Sequence, residues 1–183
     1  MTSGKERPYP DKKVGPFPTP PIEFVDREGR TIEIREYGNG PVENEFWELV
    51  EMYDDFDPAD RAQGLPPTRE DRICDWLDMI LRGLNVVAWH EETVAGHAML
   101  VRDDTGAYEL AIFVHQDYQR AGIGSRLIRA LLGHGVENGV ERVWLTVERW
   151  NTAAVNLYED VGFEKTNGEK FELEMSIRLK GPE

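Results

Sequence analysis

Hydrophobic positions along the chain repeat with two periods. Between Thr31 and Tyr37, Ile32 and Ile34 alternate with Glu33 and Arg35, a period of two that predicts a half-buried first strand. Gly38-Asn39-Gly40-Pro41 breaks it. The period lengthens to that of a helix over Phe46, Leu49, Val50 and Tyr53, and again over Ile73, Trp76, Leu77 and Ile80. The stretch 54–67, rich in turn residues, predicts a loop between these helices, and Thr68 with Asp71 has the spacing of a capping box for the second. Asn85 to His90 and Thr93 to Arg102 predict two strands joined by the turn His90-Glu91-Glu92-Thr93. Asp103-Asp104-Thr105-Gly106 then turns the chain into a fourth strand, Leu110 to Val114. Ile123, Leu127, Ala130 and Leu131 share one face of a third helix that ends near Asn138-Gly139. Val143 to Val147 reads as a fifth strand, and Asn151 to Asp160 as a short helix closed by Gly162. Phe163 and Phe171 to Leu179 give the last strands, with Thr166-Asn167-Gly168-Glu169 as their turn.

Ahead of all this, residues 1–21 hold Pro8, Pro10, Pro16, Pro18, Pro20 and Pro21 and show no periodicity. They predict an extended arm, on the surface or mobile. The expected organisation is an arm over residues 1–28 and one domain over 29–183, long enough for a sizeable core.

Composition narrows the function classes. The net charge of −14 and pI near 4.7 argue against a nucleic-acid surface and against anionic lipid. The charge is uneven: residues 41–78 carry three basic and twelve acidic residues, net −9. Acidity with few lysines resembles a halophile's cytoplasmic protein, in which surface carboxylates keep the chain soluble. No apolar run is long enough to span a membrane, and no secretory leader is expected. The single Cys74 cannot form an internal disulfide, which fits a reducing, cytoplasmic setting. His90, His97, His115 and His134 lack metal-ligand spacing, so no metal is expected. Assembly as a homodimer is left open.

The candidate chemistry lies where the fourth strand meets the third helix. Gln119-Arg120-Ala121-Gly122-Ile123-Gly124-Ser125 puts two glycines at a helix N-terminus directly after an apolar strand. Gly122 and Gly124 remove Cβ atoms, the first-turn N–H groups are free, and the helix dipole adds positive potential, so the loop suits an anion. It is not a P-loop, because no Gly-Lys-Ser/Thr follows, nor a dinucleotide fingerprint, because only Gly-x-Gly is present.

Gln119-x-x-Gly122-x-Gly124 resembles the pyrophosphate-binding motif of the GNAT N-acetyltransferases, Gln/Arg-x-x-Gly-x-Gly/Ala. The strand before it and the stretch 145–163 after it fit the same family, and the likeness runs in order of elements from Thr31 to Leu179. It implies a mixed α/β fold: a mostly antiparallel sheet of six to seven strands, about four helices, and a splay between the fourth and fifth strands. It also implies acetyl-CoA, held by Gln119, Arg120, Ala121, Gly122, Ile123, Gly124 and Ser125. The pantetheine arm would pair with the backbone of Ile112, Phe113 and Val114 as an added strand would, with an N–H near Val114 meeting the thioester oxygen. Arg120 is either a direct phosphate contact or a solvated arginine.

In the family Tyr158 corresponds to a general acid near the cofactor sulfur; its alternative is a core position beside Ala154 and Val161. Asn151 reads as a helix N-cap, and the resemblance adds a hydrogen bond to the pantetheine arm. Glu109 matches in register the glutamate of the family's protein-lysine acetyltransferases, where it acts as general base directly or through water. Otherwise it is a strand-edge carboxylate. Those enzymes often lack the tyrosine that Tyr158 supplies, so protein and small-amine acceptors both stay open. The implied activity is N-acetylation of a primary amine (a small amine, a lysine or an N-terminal amine) by direct attack in a ternary complex. The rival is an acyl-CoA-binding sensor without catalysis. The −9 segment would favour a cationic acceptor.

Overall fold

The computed structural model describes residues 6–62 and 64–182. The first five residues of the expected arm and Gln63 of the expected loop lie outside the described residues. The elements are β1 (Lys13–Val14), β2 (Ile22–Val25), β3 (Thr31–Glu36), α1 (Glu45–Asp54), α2 (Glu70–Ile80), β4 (Leu84–His90), β5 (Thr93–Arg102), β6 (Tyr108–Val114), α3 (Ile123–Glu137), β7 (Arg142–Glu148), α4 (Thr152–Val161), β8 (Glu164–Gly168) and β9 (Glu172–Leu179). One sheet runs β1-β9-β7-β6-β5-β4-β3-β2, with β8 also paired to β9. Its pairs are antiparallel except β1 with β9 and β6 with β7.

Among the described residues the sheet has nine strands rather than six or seven, because the arm supplies two. β1 adds to the outer edge of β9, pairing Lys13 with Arg178, and β2 pairs antiparallel with β3. The boundary expected at residue 28 therefore falls between two paired strands. Between them the arm presses on α3: a Cβ at Gly133 would lie 1.9 Å from the Pro18 carbonyl oxygen.

Alternation sorts the sheet into two covered faces. Ile32, Ile34, Leu110, Val143, Leu145, Met175 and Ile177 face α3 and α4, meeting Leu127, Leu131 and Val155 in one core. Val87, Trp89, Met99 and Phe113 face α1 and α2, meeting Leu49, Tyr53, Ile73, Trp76 and Leu77 in another. Within this second core His97 is fully buried. Its Nε2 donates to Asn85 Oδ1 at 2.7 Å, leaving Nδ1 to accept from the Tyr53 hydroxyl at 2.6 Å. Burial pushes this imidazole down to about 3, so it is neutral and structural.

Two local expectations fail. The helix-start residue of α2 is Arg69, with no side-chain cap, so the Thr68–Asp71 capping box does not form. Asp71 instead receives the Arg69 guanidinium at 3.0 Å. Thr166, Asn167 and Gly168 are not the hairpin turn but the end of β8, where pairing with β9 shifts register between Lys165 and Asn167. Asn and Gly suit such an irregularity. The turn is closed later, by the Glu169 N–H on the Glu172 carbonyl at 2.8 Å. No helix among the described residues is long and apolar enough to cross a membrane.

Candidate active site

The site begins at a failure of strand pairing. β6 and β7 pair in parallel only at Tyr108 with Val143 and Glu109 with Trp144. From Leu110 to Val114, β6 keeps its partner β5 on one side and, among the described residues, has no strand on the other. The His115 N–H donates to the Ala95 carbonyl at 3.0 Å on the β5 side. Antiparallel alternation then turns the backbone of Phe113 toward β5 and that of Ile112 and Val114 toward the gap. Of the expected trio, only Ile112 and Val114 thus turn their backbone groups to the gap. The Phe113 ring packs in the core, edge-on to Tyr53, Phe56 and Trp76 at 5.6–6.0 Å.

At the end of the gap stands α3. Gly122 is its N-cap at φ 87°, a left-handed conformation that glycine adopts without Cβ strain, and no side chain caps the helix. Arg120 shares that conformation at φ 60°. Buried Ala121 and Ile123 anchor the loop. The orphan N–H groups of the first turn therefore face the gap's mouth with the helix dipole behind them. A Cβ at Gly124 would touch Leu157, Val114 and Ile112 at 3.6–4.0 Å, so helix α4 and strand β6 converge on this glycine.

The loop is braced from both sides. Ala121 accepts from the Arg27 N–H at 3.1 Å, and Arg30 donates to the Asp117 carbonyl at 2.9 Å while its guanidinium lies 4.4 Å over the Tyr118 ring. Arg30 in turn is held by buried Asp26 at 2.7 Å. Burial works to raise the Asp26 carboxyl, but hydrogen bonds from Arg30 and Glu28 hold it below the usual range. From the other side, Gln119 Nε2 donates to Asp60 at 2.9 Å and to the Val114 carbonyl at 3.0 Å. His115 Nε2 lies 2.8 Å from Asp55, and Gln116 donates to the Asp55 carbonyl at 2.6 Å and accepts from the Asp57 N–H. Of the acidic residues in the 41–78 segment, Asp55 and Asp60 thus clamp the loop after α1 onto the glycine loop.

The Ser125 hydroxyl accepts from the Arg129 guanidinium. Arg126 and Arg129, with Pro18, Ile22 and Ser125, line a depression of about 370 Å³ beside the start of α3. These two arginines escaped the sequence reading, although their spacing from Gly122 on a predicted helix could have raised them.

Asn151 caps α4, its Oδ1 accepting from the Ala154 N–H at 3.2 Å. Its Nδ2 donates to none of the described residues. Tyr158 is buried, ring to ring with Phe163 at 5.9 Å, and burial pushes its phenol up to about 12. No described residue hydrogen-bonds its hydroxyl. Glu109 lies exposed on the opposite, α1–α2 face. Burial of part of its carboxyl raises its pKa, Arg7 opposes this, and Asp103 and Glu172 reinforce it. Cys74 is elsewhere, in α2, with its thiol pushed up by burial and by Glu70, Asp78, Asp75 and Asp71. Among the described residues no group of three or more His, Cys, Asp or Glu side chains could hold a metal.

Comparison with known proteins bears on this arrangement. A family model described as the acetyltransferase (GNAT) family matches residues 47–163. The chain is 38% identical over 66 residues to the [ribosomal protein bS18]-alanine N-acetyltransferase of Escherichia coli K12, covering 36% of this chain and 43% of that protein. It is 26% identical over 111 residues to the L-amino acid N-acyltransferase MnaT of the same organism, covering 50% of this chain and 64% of that one. The matches thus span less than two thirds of either relative. Among solved structures, the GNAT domain of S. lividans PAT superposes with a TM-score of 0.72 at 16% identity, covering 87% of this chain and 97% of that one. YncA, a putative acetyltransferase from Salmonella typhimurium solved with acetyl-CoA, gives 0.62 at 20% identity over 81% of this chain and 94% of that one.

Proposed function

The chain belongs to the acetyltransferase (GNAT) family, and from that membership we propose that it is an acetyl-CoA-dependent N-acetyltransferase acting on a primary amine by direct attack in a ternary complex. The observation that carries this reading is the uncapped N-terminus of α3 behind Gly122, set at the end of the unpaired stretch of β6. The residues present fit the cofactor. The first-turn N–H groups from Gly122 to Ser125, with Arg120, would hold its pyrophosphate. The backbone of Ile112 and Val114 would pair with the pantetheine amides, Asn151 Nδ2 would donate to the same arm, and Leu157 would wall it. When bound, acetyl-CoA supplies an acetyl group activated as a thioester.

The chain's own groups then divide the proton work. Glu109 Oε takes the proton of the acceptor amine, directly or through water, and its raised pKa brings it nearer neutrality, where a general base works best. The Val114 N–H, facing the gap, donates to oxygen that gains charge. Tyr158 Oη holds a proton for the leaving sulfur, and a phenol near 12 keeps that proton through the neutral range. Attack without a cysteine intermediate is supported by the place and raised pKa of Cys74. An amine acceptor is supported by the relatives' names, which specify alanine and L-amino acids.

The test is thiol release from acetyl-CoA across amines, polyamines, amino acids and lysine peptides. Release with at least one amine is expected. Tight acetyl-CoA binding with no release across the panel would instead support the sensor. In parallel, acetyl-CoA should raise the melting temperature by mass action, and Gly124→Glu should abolish that rise by filling the cradle and repelling pyrophosphate. An unchanged shift in the variant would remove the glycine loop from the site.

A further inference from the structure

Arg7 belongs to none of the sequence motifs, yet the fold brings it to the face of the sheet that carries Glu109. Its guanidinium carbon sits 3.5 Å from the centroid of the Trp144 ring, and Trp144 is the strand neighbour of Glu109 in the short β6–β7 pair. Arg7 Nε donates to Glu174 at 2.7 Å, and Nη1 lies 3.8 Å from Asp103. Trp144 Nε1 donates to the same Asp103 carboxylate at 2.9 Å, so ring and guanidinium share one fixed partner. The segment after Arg7 is tied down as well: Ser176 Oγ donates to the Pro8 carbonyl and Arg178 Nε to the Pro10 carbonyl, both at 3.0 Å. β1 then continues the chain along β9.

We propose that Arg7 is a positioning residue for the acetyl transfer: from its seat on Trp144 it places a fixed positive charge beside Glu109 and steadies the carboxylate that takes the acceptor's proton. This rests on the reading of Glu109 as the base. The charged groups that bear on Glu109 are Arg7 from the arm, Asp103 from the β5–β6 turn and Glu172 from β9. Burial, Asp103 and Glu172 all disfavour the ionised form, and Arg7 alone opposes them. Without the Arg7 charge, Glu109 would titrate at a higher pH. Less of it would be ionised on the acid side, and the rate would fall there while the alkaline plateau held. A merely structural contact between arm and sheet would lower activity at every pH alike.

Arg7→Met keeps the length and the apolar contact with Trp144 but removes the charge. The measurement is kcat/KM for one acceptor across the acid limb and the plateau. The variant-to-parent ratio at each pH cancels the acceptor's own titration. The ratio should be near one on the plateau and fall about threefold on the acid limb, the size of a half-unit pKa shift. Arg7→Lys, which retains the charge without the planar fork, should return the acid-limb ratio to within about twofold of one. A ratio flat across pH overturns the proposal, as does Arg7→Lys tracking Arg7→Met. Glu109→Gln, run alongside, separates the two readings. If it keeps the parent's rate and pH profile, the base assignment itself falls. If it loses the rate while the Arg7→Met ratio stays flat, only the role of Arg7 falls.

Discussion

The Tyr158 side chain packs through its ring: Phe163 lies 5.9 Å away edge-on, and the hydroxyl bonds to none of the described residues. Core packing and proton donation are thus separable in one side chain. Tyr158→Phe should leave the melting temperature and acetyl-CoA affinity nearly unchanged, while turnover falls by about 10²–10⁴, the usual worth of a positioned acid. The check is kcat beside acetyl-CoA Kd; a parent-like kcat would make Tyr158 a core residue and nothing more. How much of the site could be read from the sequence follows the separation of its parts. Gly122 and Gly124 were legible because their job is set by a strand and a helix on either side of them. Leu157, which meets Gly124, and Asp60, which binds Gln119, are brought in by packing between distant segments. Arg7 is further still, since its partner Glu174 lies 167 residues on. Nothing local marks such residues, and only the folded register places them.

At the level of elements, strands with clear alternation and helices with clear stripes were legible, while the arm's strands were not. β1 has two residues and β2 four, too short for a period to show, and prolines flank them. What fixes them is nonlocal. β1 borrows the edge of β9, and the turn between Pro16 and Pro21 is pinned where Gly133 lets the backbone of Pro18 approach α3. A methyl group at residue 133 would stand 1.9 Å from the Pro18 oxygen and 3.0 Å from the Phe17 oxygen, far inside contact distance. Alanine is the better helix former by about 1 kcal/mol, but overpacking of this kind costs about 1–3 kcal/mol. Gly133→Ala should therefore lower the melting temperature and expose residues 15–20 to limited proteolysis while α3 stays intact. A variant that is more stable and equally resistant would show that the arm does not need this seat. Because the turn at Arg27–Arg30 braces the glycine loop, a dislodged arm should also weaken acetyl-CoA binding, which the same preparation can report.

For the molecule as a whole, the question is what the charge of −14 does. Surface carboxylates that merely hold water favour no acceptor, whereas carboxylates facing the acceptor would concentrate cations. The fold reduces the candidates. Within the acidic 41–78 segment, Asp55 is engaged by His115 and Asp57 accepts from the Ala59 N–H, so replacing either would disturb structure as well as charge. Asp54, exposed at the end of α1, tests charge alone. On the same face as Glu109, a cavity of about 110 Å³ is lined by Glu169, Glu172 and Glu174 with Thr146 of β7, a second acidic element. Steering by such groups weakens as the screening length falls from about 10 Å at 0.1 M salt to about 3 Å at 1 M. A salt-requiring enzyme would instead gain activity toward every acceptor together. The ratio of kcat/KM for a cationic acceptor to that for a neutral one removes the common gain. It should fall as salt rises, and at low salt Asp54→Asn should lower it while leaving the neutral acceptor untouched. A ratio that is independent of salt, and equal in parent and variant, would assign the acidity to solvation and leave the acceptor's charge unselected.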